Sequence, residues 1–251
     1  MSSPLEAVLR RDRVVVAAGV AAIAALGWVY LVMMAGMDDM AGPDLRPWTS
    51  GDFVMMFSMW TIMMVAMMLP SAAPLLLVYA GMARQQEERG HPIAPTGAFA
   101  AGYLLAWTVF SGAATLLQWA LERAALLSPQ MVASTPYLGA LLLIAAGVYQ
   151  LTPLKSACLT HCRSPIAFLL HRWRRGFAGA LRMGTEHGLY CVGCCWFLMG
   201  LLFVGGVMNL LWIAAISIFV LLEKVAPRGE LVARTAGVLL MAAGVWMGVT
   251  A

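Results

Sequence analysis

The chain has 251 residues, of which 62% are hydrophobic and 11% charged, and its formal net charge is +4. Soluble domains carry about 25% charged residues, so the composition excludes an ordinary soluble enzyme and describes an integral membrane protein. The sequence holds no phosphate-binding glycine loop, no Ser/His/Asp constellation and no paired catalytic carboxylates, which removes nucleotide-driven pumps and hydrolases from consideration.

Apolar runs long enough to cross about 30 Å of hydrocarbon recur at 14–34, 53–80, 97–121, 135–153, 185–205, 207–223 and 231–250. They predict an all-α, polytopic helical bundle of about seven transmembrane helices, forming one membrane domain over 1–251. A six-span alternative arises because only Gly205 to Asn209 separate the fifth and sixth runs.

The first run follows Arg10, Arg11 and Arg13, lacks a small-residue cleavage site and reads as a retained helix. After it comes "MMAGMDDM", in which Met33, Met34, Met37 and Met40 surround two aspartates. Thioethers at short intervals select Cu(I), and the carboxylates raise the local cation concentration. The second run continues the theme, with Met55, Met59, Met63 and Met67 on one helical face beside Met56, while Met64 and Met68 point elsewhere. A methionine stripe is also ordinary packing material. In the same run Pro70 and Pro74 predict a break or kink, a feature often found beside a cavity.

The fourth run leads into a polar interval that holds "CLTHC", with Cys158, His161 and Cys162, and an expected interfacial helix over 166–175 whose Phe168, Leu169, Leu170 and Trp173 dip into the membrane. The fifth run holds "GTEHGLYCVGCCW". At 100° per residue, Met183, His187, Cys191, Cys194 and Cys195 fall within an arc of about 120°. Three thiols, an imidazole and a thioether on one stripe suit a soft metal, Cu(I) foremost, and zinc would accept the same cysteine and histidine set. Glu186 stands either behind His187 as an orienting partner or in a pair with Arg182, one turn earlier. Gly184 and Gly188 allow another helix to approach closely. In the short hairpin that follows, Asn209 reads as a helix cap. Glu223 and Lys224 read as an interfacial anchoring pair.

With the N-terminus inside, only Arg46 and Arg123 of the 16 basic residues fall in outer segments, whereas Asp38, Asp39, Asp44, Asp52 and Glu122 all do. The basic stretch "HRWRRG" is then a cytoplasmic anchor beside anionic lipid, and the partners are the bilayer and no nucleic acid.

Four stretches, "MMVAMMLPSAAP", "YQLTPLKSACLTHCRSP", "GTEHGLYCVGCCWFLM" and "GVMNLLW" followed by "EK", resemble a bacterial family of predicted metal-binding integral membrane proteins linked to copper delivery for tyrosinase-type enzymes. The resemblance frames most of the chain after residue 50. It implies that Cys158, Cys162, Cys191, Cys194 and Cys195 belong to the family's pattern, that a cuproenzyme is the client, and that the protein resides in a bacterial cytoplasmic membrane as a multi-pass protein.

The preferred reading is therefore a non-enzymatic copper-binding protein that passes Cu(I) from methionine sites to the cysteine and histidine site. The alternatives are a membrane thiol oxidoreductase using Cys191 and Cys194 as a CxxC pair, and a structural subunit of a membrane complex.

Overall fold

The computed structural model describes residues 4–38, 48–90, 95–128 and 131–251, and these are all-helical apart from connecting turns and one isolated bridge between Leu127 and Ala133. In chain order the helices are α1 (Pro4–Asp38), α2 (Ser50–Glu88), α3 (Thr96–Arg123), α4 (Pro136–Gln150), α5 (Pro153–Arg163), α6 (Pro165–Arg172), α7 (Gly176–Gly200), α8 (Leu202–Gly205), α9 (Leu210–Val225) and α10 (Gly229–Thr250). Five stretches, Arg13–Gly36, Ser50–Glu88, Thr96–Arg123, Gly176–Gly205 and Gly229–Thr250, are long and apolar enough to cross a membrane. The pair α4 and α5, bent by 65° at its break, makes a sixth if taken as one span. α9, with 16 residues, is shorter than these.

Helix starts follow local chemistry. Thr49 and Asp52 form a reciprocal capping box at α2, Thr135 and Thr152 cap α4 and α5 directly before a proline, and the Asn209 side chain accepts from the Trp212 amide at 3.2 Å. The role of Asn209 as a cap is thus observed. α2 runs on as helix through Pro70 and Pro74 instead of breaking. Neighbouring side chains engage its carbonyls there: Tyr103 Oη donates to the Met68 oxygen at 3.0 Å and Ser217 Oγ to that of Met67 at 3.3 Å.

The tightest helix contact joins α3 to α7. A Cβ placed on Gly184 would stand 1.9 Å from the Phe99 carbonyl oxygen, and one on Gly102 would stand 2.0 Å from that of Leu181. The small-residue spacing of Gly184 and Gly188 therefore does what the sequence leads one to expect. α4 and α10 meet similarly through Gly147 and Gly237. Facing away from these contacts, Leu26, Val109, Leu141, Leu211, Leu239 and Trp246 are exposed and supply an apolar exterior of the kind hydrocarbon requires.

Two local expectations are corrected. α6 forms where an interfacial helix was expected, but Phe168 and Leu169 are buried in the protein core while Ile166 and Leu170 face outward. A two-turn helix has two faces, and here the aromatic one turns inward onto His187. Glu223 and Lys224 are not surface anchors; both are buried. Glu223 Oε2 binds Lys155 Nζ at 2.7 Å and its Oε1 accepts from Gln150 Nε2 at 2.6 Å, which ties α9 to the bend between α4 and α5.

Removing one partner of a buried pair leaves an uncompensated charge and costs about 3–5 kcal/mol. Glu223→Ala is therefore expected to lower the thermal unfolding temperature of the detergent-purified protein strongly, and Glu223→Gln, which keeps hydrogen-bonding capacity, to lower it less.

Candidate metal centre

The period of α7 turns Met183, His187, Cys191, Cys194 and Cys195 together into the core, and all five are buried. Cys191 sits at the middle of the polar contacts. Lys224 Nζ on α9 lies 2.9 Å from its Sγ and 2.8 Å from Ser71 Oγ on α2, while Tyr103 Oη on α3 lies 3.1 Å from the same sulfur. Three helices thus meet at one thiol, and α2 joins them through Lys224. Cys194 and Cys195 turn their sulfurs back to the Cys191 carbonyl oxygen at 3.1 and 2.9 Å.

α5 completes the cluster from the other side. Cys162 Sγ is 3.9 Å from Cys194 Sγ, and Cys158 packs its sulfur on Gly193, where a Cβ would stand only 2.9 Å away. Tyr149 Oη donates to the Gly193 carbonyl, fixing α4 at the same point. All five cysteines are free thiols. "CLTHC" lies on a helix, so its four-residue cysteine spacing places Cys158 and Cys162 on one face toward α7. Thr152 followed by Pro153 was the sequence signal for that helix.

His187 is enclosed by the rings of Phe168, Tyr103 and Phe99, at centroid separations of 5.2, 6.0 and 6.5 Å. Its Nδ1 is buried with no hydrogen-bond partner. A pocket of about 210 Å³ opens here, with Ser71, Cys162, Arg163, His187 and Lys224 in its lining. His187, whose Nδ1 is orphaned, and the Cys162 thiol border this pocket, and an imidazole and a thiol are donors that fit a Cu(I) ion chemically.

The remaining candidates are placed less centrally. Met183 Sδ accepts from the Arg174 amide at 3.2 Å. His161 is exposed, with Nδ1 2.8 Å from the Ala157 oxygen and its ring stacked on Tyr190 at 4.3 Å. Glu186 adopts the second of its two expected arrangements, pairing with Arg182 at 3.2 Å and standing 3.7 and 3.8 Å from Arg174 and Arg172. Met59, Met63 and Met67 are buried in the core, whereas Met55 is exposed, Met33 is 66% exposed and Met34 half-buried. Met64 and Met68 are buried too, because α2 is packed by α1, α3 and α9 around most of its circumference. Met40 and the side chain of Met37 lie outside the described residues.

Among the described residues, no group of three or more His, Cys, Asp or Glu stands close enough to hold a metal ion. The geometry explains this, since Cys194 and Cys195 turn to a backbone oxygen and the ammonium of Lys224 occupies the face of Cys191. Sequence reasoning missed Lys224, Ser71 and Tyr103. Lys224 was missed because the apolar run reads as ending at residue 223, which puts the charge at its edge, whereas α9 continues to Val225 and buries it; for Ser71 and Tyr103 the helix pairing had to be known.

Fold and site together define a helical protein of membrane-spanning type with a sulfur-rich core. The chain matches the PpoB2 family, described as copper chaperone, over residues 57–247, and it belongs to that family. No curated protein and no solved structure matches it.

A disulfide needs a sulfur separation of about 2.05 Å, so Cys162 and Cys194 have roughly 2 Å to close from their present 3.9 Å. Mild oxidation is expected to link this pair ahead of Cys158 or Cys195, as read by peptide mapping of the alkylated protein.

Proposed function

We propose that the protein is a multi-pass protein of a bacterial cytoplasmic membrane that binds Cu(I) at the α5 and α7 cysteines and His187 and delivers it to a cuproenzyme. The chain forms one membrane domain, with α4 and α5 as one span, α9 as another and the N-terminus inside, which gives seven crossings. That orientation leaves the basic residues of the α5 to α7 interval in the cytoplasm.

The observation that carries the reading is a pair of close contacts on α7, Lys224 against Cys191 and the half-buried Cys162 against Cys194. A Cu(I) ion held by two thiolates bears a net negative charge, and a buried negative charge needs a partner. Lys224 supplies it at contact distance from Cys191. The family's description as copper chaperone supports the cargo and a non-enzymatic role. Weak thioether sites on α2 leading to tighter thiolates make the transfer run downhill. The roles of Met183, His161, Cys158 and the α2 methionines are secondary in this scheme, and zinc is the competing occupant of the cysteine and histidine set.

The Cys162 and Cys194 pair also favours a second reading, thiol exchange with a partner protein. Burial counts against it, since Cys191, Cys194 and Cys195 are each at most 1% exposed and exchange needs an accessible thiolate.

The test is the metal content of protein purified in detergent under reductant after growth with copper, compared with a variant carrying Cys191→Ser, Cys194→Ser and Cys195→Ser. Near-stoichiometric copper in the native chain and its loss in the variant are expected. Metal-free protein in both removes the copper reading, and zinc in place of copper overturns the cargo while keeping the site.

A further inference from the structure

Remote from the cysteines, Gln118 on α3 is fully buried and its side chain is held by a complete set of partners. Its Oε1 accepts from Trp60 Nε1 at 2.7 Å, and its Nε2 donates to Glu122 Oε1 at 2.8 Å, while Glu122 Oε2 accepts from Trp48 Nε1 at 2.7 Å. An indole that can only donate and a carboxylate that accepts fix which end of the amide is oxygen and which is nitrogen. The same Nε2 faces two thioethers, Met131 Sδ at 3.1 Å and Met56 Sδ at 3.7 Å.

An amide nitrogen has two hydrogens. Glu122 takes one, so both sulfurs converge on the direction of the other. Two soft lone pairs from separate parts of the chain, with a carboxylate beside them, surround one weakly positive group. Met131 reaches this place from a backbone with φ of 55°, a left-handed conformation that a non-glycine residue adopts only when its surroundings hold it there. Those surroundings are defined: the Met131 amide donates to the Ser128 oxygen at 2.8 Å, and Ala133 N donates to the Phe203 oxygen at 2.8 Å.

We propose that Met56, Met131 and Glu122 form a second soft-cation site, a thioether and carboxylate site for Cu(I), in which the ion replaces the Gln118 N–H as the positive pole between the sulfurs. The identity of the cargo rests on the copper reading above. From Met56 the buried sulfurs of Met59, Met63 and Met67 follow along α2 toward Ser71 and Cys191. At 1.5 Å rise per residue, Met56 and Ser71 are about 22 Å apart along the helix. The site is thus the loading end of the relay. Transfer along it is ligand exchange at constant oxidation state: each step breaks one copper to sulfur bond as another forms, and the thioethers neither gain nor lose protons.

The test uses Ag(I), a redox-inert ion with the ligand preference of Cu(I), titrated into a detergent-purified chain in which all five cysteines are serine. One tightly held equivalent is expected, with affinity falling tenfold or more in Met56→Leu and in Met131→Leu, which conserve volume. No uptake by the cysteine-free chain, or equal uptake in both leucine variants, overturns the proposal. In the native chain, supplied with Ag(I) beyond what its thiols take up, Met56 and Met131 are expected to resist peroxide oxidation while exposed Met33 does not; unchanged oxidation of the pair overturns the proposal without recourse to any variant. Failure of the relay reading is separately visible, because a native chain that retains no copper leaves Ag(I) uptake by the cysteine-free chain intact.

Discussion

The approach of α3 to α7 without intervening side chains sets the geometry of everything at the centre of the molecule. At Gly102 and Gly184 each helix lies against the other's backbone, so the side chains one turn further along have fixed neighbours. Tyr103 reaches Cys191, and the rings of Phe99 and Tyr103 close over His187. Between helices in lipid there is little hydrophobic force, and close van der Waals packing takes its place. A methyl group at Gly184 would separate the helices and move every one of these contacts together.

Buried charge is the second organising element. Lys155 and Glu223 neutralise each other within the core, and Gln150 occupies the other carboxylate oxygen. Lys224, the next residue along α9, has no carboxylate among its named partners; it meets the sulfur of Cys191 and the hydroxyl of Ser71. Adjacent residues on one helix therefore do different work, one closing the α4 to α5 bend and the other setting the electrostatics at the thiols.

Most of the architecture was legible in the sequence because helical periodicity and hydrocarbon thickness leave few choices. The expected run 97–121 became α3 at Thr96–Arg123, and 231–250 became α10 at Gly229–Thr250. The cysteine stripe was legible for the same reason, since the 3.6-residue period alone puts Cys191, Cys194 and Cys195 on one side. What stayed hidden depends on which helices are neighbours. Nothing local says that Lys224 meets a thiol 33 residues earlier, or that Met131, from a turn, joins Met56 at Gln118. The α2 methionines show the opposite limit: periodicity separated Met64 and Met68 from the stripe, yet a helix packed on three sides buries them equally.

Lys224 also bears on the valence of what the core accepts. A cation arriving near Cys191 meets a like charge within a few ångströms. At 5 Å and an effective dielectric of 20, that repulsion is about 3 kcal/mol for each unit of charge brought in. A doubly charged ion meets twice what a singly charged one does, before any preference of the ligands is counted. For the copper site proposed above, the ammonium would therefore act as a filter on charge beside sulfurs that filter on softness, and it would weigh against zinc where the ligands alone accept it.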